Sequence, residues 1–347
     1  MFLKQKKYWA CPIVFTLILF CLPFFSTASF LDRDLHISGE TMGTYYHITL
    51  VSKKGLDKNR LKTKIDAQLE MINKSMSCFD PDSEISVFNR AAPHMMVKVS
   101  RDFITVMKKG RDIYSITSGA WDATIKPLVD LWGFGTEKGV TAVPGQEKIS
   151  ELLSLTGFDK IEISDKGLMK KNQFLSLDLG SIAKGYGVDK TAELLKQCKI
   201  ENFLVEIGGE IYAAGKNKKE SPWQVGISTP KKGIAANDLY KIVSLKDKAL
   251  ATSGDYRNFI RINGKTYAHI INPVTGYPPE NQVVSASVIA GDCTFADGLA
   301  TALMVMAPEK GTALVNGLSD TECMIIVRES QNKFKNFMSK GFSDYLQ

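Results

Sequence analysis

The run from Gln282 to Met306, QVVSASVIAGDCTFADGLATALMVM, reads as a strand to Ile289 followed by a helix from Asp292, and the chain is organised around it. Leu299, Ala302, Leu303 and Val305 form an apolar helical side. Asp297 and Thr301 stand four apart, so their oxygens project from one face near the first turn. Two oxygens so placed suit a hard cation such as Mg²⁺, which takes one or two carboxylates and leaves its other positions to water and phosphate. The same pair has plainer uses. An Asp in a first turn complements the helix dipole, and a Thr at i+4 bonds a backbone carbonyl. The residues upstream have to decide between them.

Working outward, the chain alternates helical and strand patterns. Leu61, Ile65, Leu69, Ile72 and Met76 mark an amphipathic helix, and residues 83–89, 101–117, 147–155 and 308–318 read as further helices. His36 to Val51 reads as two short strands around Thr41-Met42-Gly43-Thr44. Lys160–Ile163 and Phe174–Leu179 read as strands around a turn at Asp165–Gly167, and Phe203–Gly215 as two strands around Gly208-Gly209. Trp223–Ile227, Tyr240–Leu245, Ala249–Thr252 and Glu322–Val327 add strands, and Asn263-Gly264 joins Phe259–Ile262 to Tyr267–Ile271 as a hairpin. Helices interspersed with antiparallel hairpins predict an α+β fold, antiparallel sheets with packed helices, rather than a doubly wound sheet. No repeat, linker or composition break divides residues 29–347, which are expected to form a single domain.

Composition is that of a globular protein, 44% hydrophobic and 23% charged over 347 residues. The net charge of +7 includes Lys4, Lys6 and Lys7, and the remaining basic residues are scattered, so nucleic-acid binding is not expected. Those lysines precede an uncharged run from Tyr8 to Leu31. Residues 1–28 therefore read as a signal peptide, with Ser26-Thr27-Ala28 as the cleavage site, or as an N-terminal anchor. Lipid attachment at Cys21 ranks last, because Phe20 stands where a small residue is wanted. Cys78, Cys198, Cys293 and Cys323 show no zinc-ligand spacing and read as small buried residues.

Three other stretches carry chemistry. Leu177 to Asp189, LDLGSIAKGYGVD, reads as a strand, a small-residue turn and a helix start, an arrangement whose free amides can cradle an anion. Asp178 lies at the strand end, and Lys184, one turn in, can meet a phosphate as a point charge. Gly208-Gly209 marks a backbone that something approaches closely. His269, one of four histidines, leads into the turn Asn272-Pro273-Val274-Thr275-Gly276 and is a candidate base.

Together these motifs resemble the ApbE family, the FAD:protein FMN transferases. The resemblance runs from about Gly39 to Met306 and adds Phe79 through Asn89, Gly119 through Asp122, Leu131 through Phe134, Gly208-Gly209-Glu210, Ser253 through Tyr256 and Ala296 through Thr301. It implies a T-fold-like α+β fold, FAD as substrate, and Mg²⁺ held by the Asp297 and Thr301 side chains and the Ser181 carbonyl. It implies further that Met42, Phe79, Ala120, Trp121, Asp122, Asp178, Lys184 and Ile271 line the FAD site. Phe79 stands where many relatives have Tyr, Asn272 where Asp is common, and Ser181 where Ala or Gly is also seen.

The expected reaction moves the FMN half of FAD onto an acceptor Thr as a phosphoester and releases AMP. Asp297 and Lys184 would neutralise the diphosphate, and His269 would take the Thr proton. Rival readings are an FAD pyrophosphatase with water as nucleophile and a non-enzymatic FAD-binding protein. The acceptors implied are exported proteins such as subunits of NADH:quinone reductase or Rnf-type complexes, with the enzyme in the periplasm, free or tethered to the inner membrane.

Overall fold

Arg33–Thr41 (β1) and Thr44–Ser52 (β2) pair antiparallel around Met42 and Gly43, both with positive φ (50° and 69°). That turn twist matches the strands it joins. The computed structural model describes residues 33–52, 55–135, 140–231, 238–255, 259–330 and 333–347. The expected signal or anchor, with Cys21 and Ser26-Thr27-Ala28, lies outside these residues, as does Tyr256.

In chain order there follow helices Lys58–Met76 (α1), Glu84–Arg90 (α2), Arg101–Ile116 (α3), Lys126–Leu131 (α4) and Gln146–Leu155 (α5). A small hairpin, Ile161–Ser164 (β3) and Gly167–Lys170 (β4), leads to helix Ala183–Gln197 (α6). Then come Phe203–Ile207 (β5), Glu210–Ala214 (β6), Trp223–Ser228 (β7), Leu239–Leu245 (β8) and Lys248–Gly254 (β9). The chain closes with Phe259–Ile262 (β10), Lys265–Ala268 (β11), Val283–Ala290 (β12), helices Cys293–Val305 (α7) and Pro308–Asn316 (α8), and strands Glu322–Ser330 (β13) and Lys333–Met338 (β14). Eight strands form one antiparallel sheet in the order β1-β2-β5-β6-β9-β12-β13-β14. The α+β expectation holds.

Both faces of this sheet are covered, which explains why β12 lacks a clean apolar alternation: all eight of its residues are buried. On one face Ala286 and Val288 meet the helices, in a core with Leu69 of α1, Val188 of α6 and Leu299 of α7. On the other, Val284 and Ile289 pack with Ile211 under the β7–β8 hairpin, through Trp223, Val225 and Val243. Residues 32–347 make one compact unit, and among the described residues no helix is long and apolar enough to cross a membrane.

Several expectations need correction. Phe174–Leu179 is not a strand, apart from one bridge of Ser176 to Ile125. Its main chain is tied by side chains instead. Asn172 Oδ1 accepts from Phe174 N and Leu175 N, and Asn89 both accepts from Leu177 N and donates to Leu177 O. The partner of β3 is β4, which the turn signal at Asp165–Gly167 places directly after it. The hairpin on Asn263-Gly264 stops at Ala268, so His269 lies just past the strand. β14 was not anticipated. Cys293 and Cys323 are buried free thiols, whereas Cys78 and Cys198 are only half-buried.

Candidate active site between two helices

The site begins with α7. Asp292 caps it by accepting from Phe295 N, so Asp297 falls in the second turn rather than the first. A second carboxylate secures the same end: Asp189 of α6 accepts from Cys293 N, Thr294 N and Thr294 Oγ1. Burial raises Asp189 to about 6 against these bonds. α6 and α7 are thereby locked together. They come close at Gly185, where an added Cβ would strike the Cys293 carbonyl and lie 2.8 Å from Asp297 Cβ. Only glycine lets the backbones meet.

Across this contact Gly185 N donates to Asp297 Oδ2 at 3.0 Å. The amide that the cradle reading offers to an anion is thus taken by a carboxylate of the chain itself. Asp297 is 2% exposed, and burial raises its pKa against the pull of Lys184 and Gly185. Lys184 Nζ lies 2.5 Å from Glu210 Oε1, at the start of β6. Burial opposes the ammonium charge there, but the fields of Asp297 and Glu210 outweigh it and raise Lys184. Two buried carboxyls share one ammonium, so one is held high: burial pushes Glu210 to about 8. Thr301, one turn beyond Asp297, has its Oγ1 3.0 Å from Ser253 Oγ on β9.

The remaining expected residues are each held by local contacts of their own. Trp121, 2% exposed, donates its Nε1 to Ser181 Oγ at 2.9 Å, which clamps the Ser181 side chain just before α6. Ala120 and Asp122 are buried beside it. Asp122 Oδ1 accepts from Thr124 N and Oγ1, and burial raises it to about 6, so it also organises its own turn. Asp178 Oδ1 accepts from Gly180 N at 2.7 Å. Met42 reaches α6 from the β1–β2 turn, its Cε beside Gly187. Phe79 is 80% exposed in the turn before α2, a ring with its face uncovered. His269 and Ile271 follow the β10–β11 hairpin. His269 is half-buried and edge-on to Phe134 at 6.4 Å, and Ile271 packs with Leu128, Trp132 and Ile149.

Among the described residues no three His, Cys, Asp or Glu side chains converge as a metal site. The ligands expected from sequence are of another kind: the buried carboxylate of Asp297, the hydroxyl of Thr301 one turn on, and the main-chain carbonyl of Ser181 just before α6. That all-oxygen set fits a hard divalent cation and would suit a thiophilic one poorly.

The ApbE family profile matches residues 42–325, from the Met42 turn into β13. The chain belongs to the ApbE family. An FAD:protein FMN transferase of Vibrio cholerae is 41% identical over 315 residues, covering 90% of this chain and 93% of that protein. Another, from Haemophilus influenzae, is 36% identical, covering 89% and 91%. The solved flavin transferase ApbE from Vibrio cholerae superposes with a TM-score of 0.82 at 39% identity, over 91% of this chain and all of that one. The ApbE resemblance and the α+β fold read from sequence both stand.

Two residues of this ApbE-family site were missed as functional candidates, although both lie in the motifs quoted. Glu210 follows the Gly-Gly pair, whose close approach was legible but whose partner was not. Asp189, on the inner side of α6, gave no sign that it would cap another helix.

Proposed function

We propose that this protein is an Mg²⁺-dependent FAD:protein FMN transferase that joins FMN to an acceptor Thr and releases AMP. It is an enzyme of flavin transfer, as its family membership and the two relatives described above indicate. The observation that carries the finer reading is the set at the α6–α7 contact: buried Asp297 with half-buried Lys184 and, one turn on, half-buried Thr301 beside Ser253. A carboxylate buried at 2% exposure with one backbone hydrogen bond is costly unless a cation uses its charge.

In the proposed reaction the acceptor Thr oxygen attacks the FMN phosphorus, the bond from that phosphorus to the bridging oxygen breaks, and AMP leaves with the electron pair. Asp297, Thr301 and the Ser181 carbonyl would hold Mg²⁺, which when bound supplies charge neutralisation to the diphosphate oxygens. Lys184 adds a point charge from the neighbouring turn. Phe79 offers a ring face for stacking, while Met42, Ala120, Trp121, Asp122, Asp178 and Ile271 form the remaining walls. His269 receives the Thr proton as the new P–O bond forms.

The reading of residues 1–28 as a signal peptide or anchor supports a reaction outside the cytoplasm, in the periplasm, with the protein free or tethered to the inner membrane. The acceptors are exported proteins such as subunits of NADH:quinone reductase or Rnf-type complexes. The test mixes purified protein, FAD, Mg²⁺ and a Thr-bearing acceptor, and looks for flavin fluorescence on the acceptor after denaturing electrophoresis. Fluorescence abolished by EDTA supports the proposal. Free FMN and AMP with a dark acceptor would replace it with FAD hydrolysis, and bound, uncleaved FAD with a carrier.

A further inference from the structure

Glu210 has no task in the reaction just described, yet its burial is nearly complete. Its side chain is 3% exposed, one oxygen takes the Lys184 ammonium at 2.5 Å, and the other, Oε2, is buried without a hydrogen bond. A half-satisfied buried carboxylate is worse than an apolar side chain of the same size unless its charge is used.

Its surroundings show what the charge is used on. Lys184 precedes Gly185, whose amide binds Asp297, so the ammonium sits in the fields of both carboxylates. The stem of Lys184 runs past Gly208, a residue with φ of +60° where a Cβ would stand 3.3 Å from Lys184 Cδ and 2.9 Å from Thr44 Cγ2. The Gly208-Gly209 turn thus opens the route that carries Nζ towards β6. Without a partner there, a flexible ammonium would settle on the nearest remaining anion, Asp297, and a cation there would have to displace it.

We propose that Glu210 is a positioning residue that holds Lys184 off Asp297, keeping that carboxylate available to a divalent cation. The inference rests on the reading of Asp297 as a cation ligand and extends it to a residue that touches neither cation nor substrate. Lys184 is a built-in competitor for the metal position, and Glu210 keeps it parked where it can still add charge to the diphosphate.

The test is Mn²⁺ binding to the purified protein above about pH 8, where Glu210 is ionised, followed by the loss of the free-ion electron paramagnetic resonance signal, with no FAD present. E210Q keeps the size and removes the charge. Its dissociation constant is expected to rise about tenfold, the scale set by one uncompensated charge pair near a ligand. In E210Q/K184M the competitor is gone, and affinity is expected to return to within about threefold of the wild type. E210Q binding like the wild type overturns the inference. So does a double variant as weak as E210Q, because Glu210 would then matter only to the local structure. Failure of the underlying reading looks different: the wild type would not bind Mn²⁺, or D297N would bind it as the wild type does.

Discussion

Gly185→Ala tests the arrangement at its tightest point. The new Cβ would overlap the Cys293 carbonyl and lie 2.8 Å from both Cys293 C and Asp297 Cβ. Two of these three atoms are backbone, at the first residue of a helix that Asp189 and Asp292 already pin, so no rotamer change relieves the clash. Overpacking of this kind costs about 1–3 kcal/mol. Forcing α6 from α7 also weakens the bond from Gly185 N to Asp297 Oδ2, a hydrogen bond to a charged group worth about 1.5–3 kcal/mol. The sum, roughly 2.5–6 kcal/mol at about 2–4 °C per kcal/mol, predicts a Tm lower by about 5–24 °C. Differential scanning calorimetry without FAD measures it. Gly187→Ala is the control, since its Cβ would meet only side-chain ends, Met42 Cε at 2.8 Å and Ile207 Cδ1 at 3.3 Å, and its loss should be at most half as large. A Gly185→Ala protein melting within about 1 °C of the wild type would refute the claim that the helices need glycine to meet.

Phe79→Ala should leave Tm unchanged, because the ring is 80% exposed, yet weaken FAD binding by about 1–3 kcal/mol if the ring stacks on the ligand; titration calorimetry on both proteins checks this. Ser181→Ala strands the buried Trp121 Nε1–H, at a cost of about 1–3 kcal/mol, but spares the main-chain carbonyl, so stability should fall while divalent-cation dependence persists. His269→Ala should abolish transfer to an acceptor with FAD affinity intact, and full transfer activity would remove His269 as the base. The pH dependence of Tm tests Glu210: its carboxyl is held at about 8 in the folded protein against an ordinary 4.5. A raised value means stability present below about 4.5 and lost as pH rises through about 8, so the wild type should lose more Tm over that window than E210Q does.

Local sequence determined most of the elements and the kinds of residue at the site. The 3.6-residue spacing from Leu61 to Met76 is realised in α1, Ser83 caps α2 as its position suggests, and Asn263-Gly264 makes the expected hairpin. These depend on interactions within a few residues, which a sequence carries openly. Asp297, Thr301 and Lys184 were likewise visible as donors in motifs. Tertiary structure alone decided what they do to one another. Gly185 and Asp297 are 112 residues apart, and nothing local to either says that one amide will bind that carboxylate. Phe174–Leu179 alternates like a strand, but Asn89, far upstream, takes up the Leu177 backbone groups a neighbouring strand would have needed. Glu210 becomes more than the residue after two glycines only when β6 brings it to Lys184. Hydrophobic period and turn chemistry act along the chain, whereas burial, shared protons and competition for one carboxylate arise between segments that only the packed fold brings together.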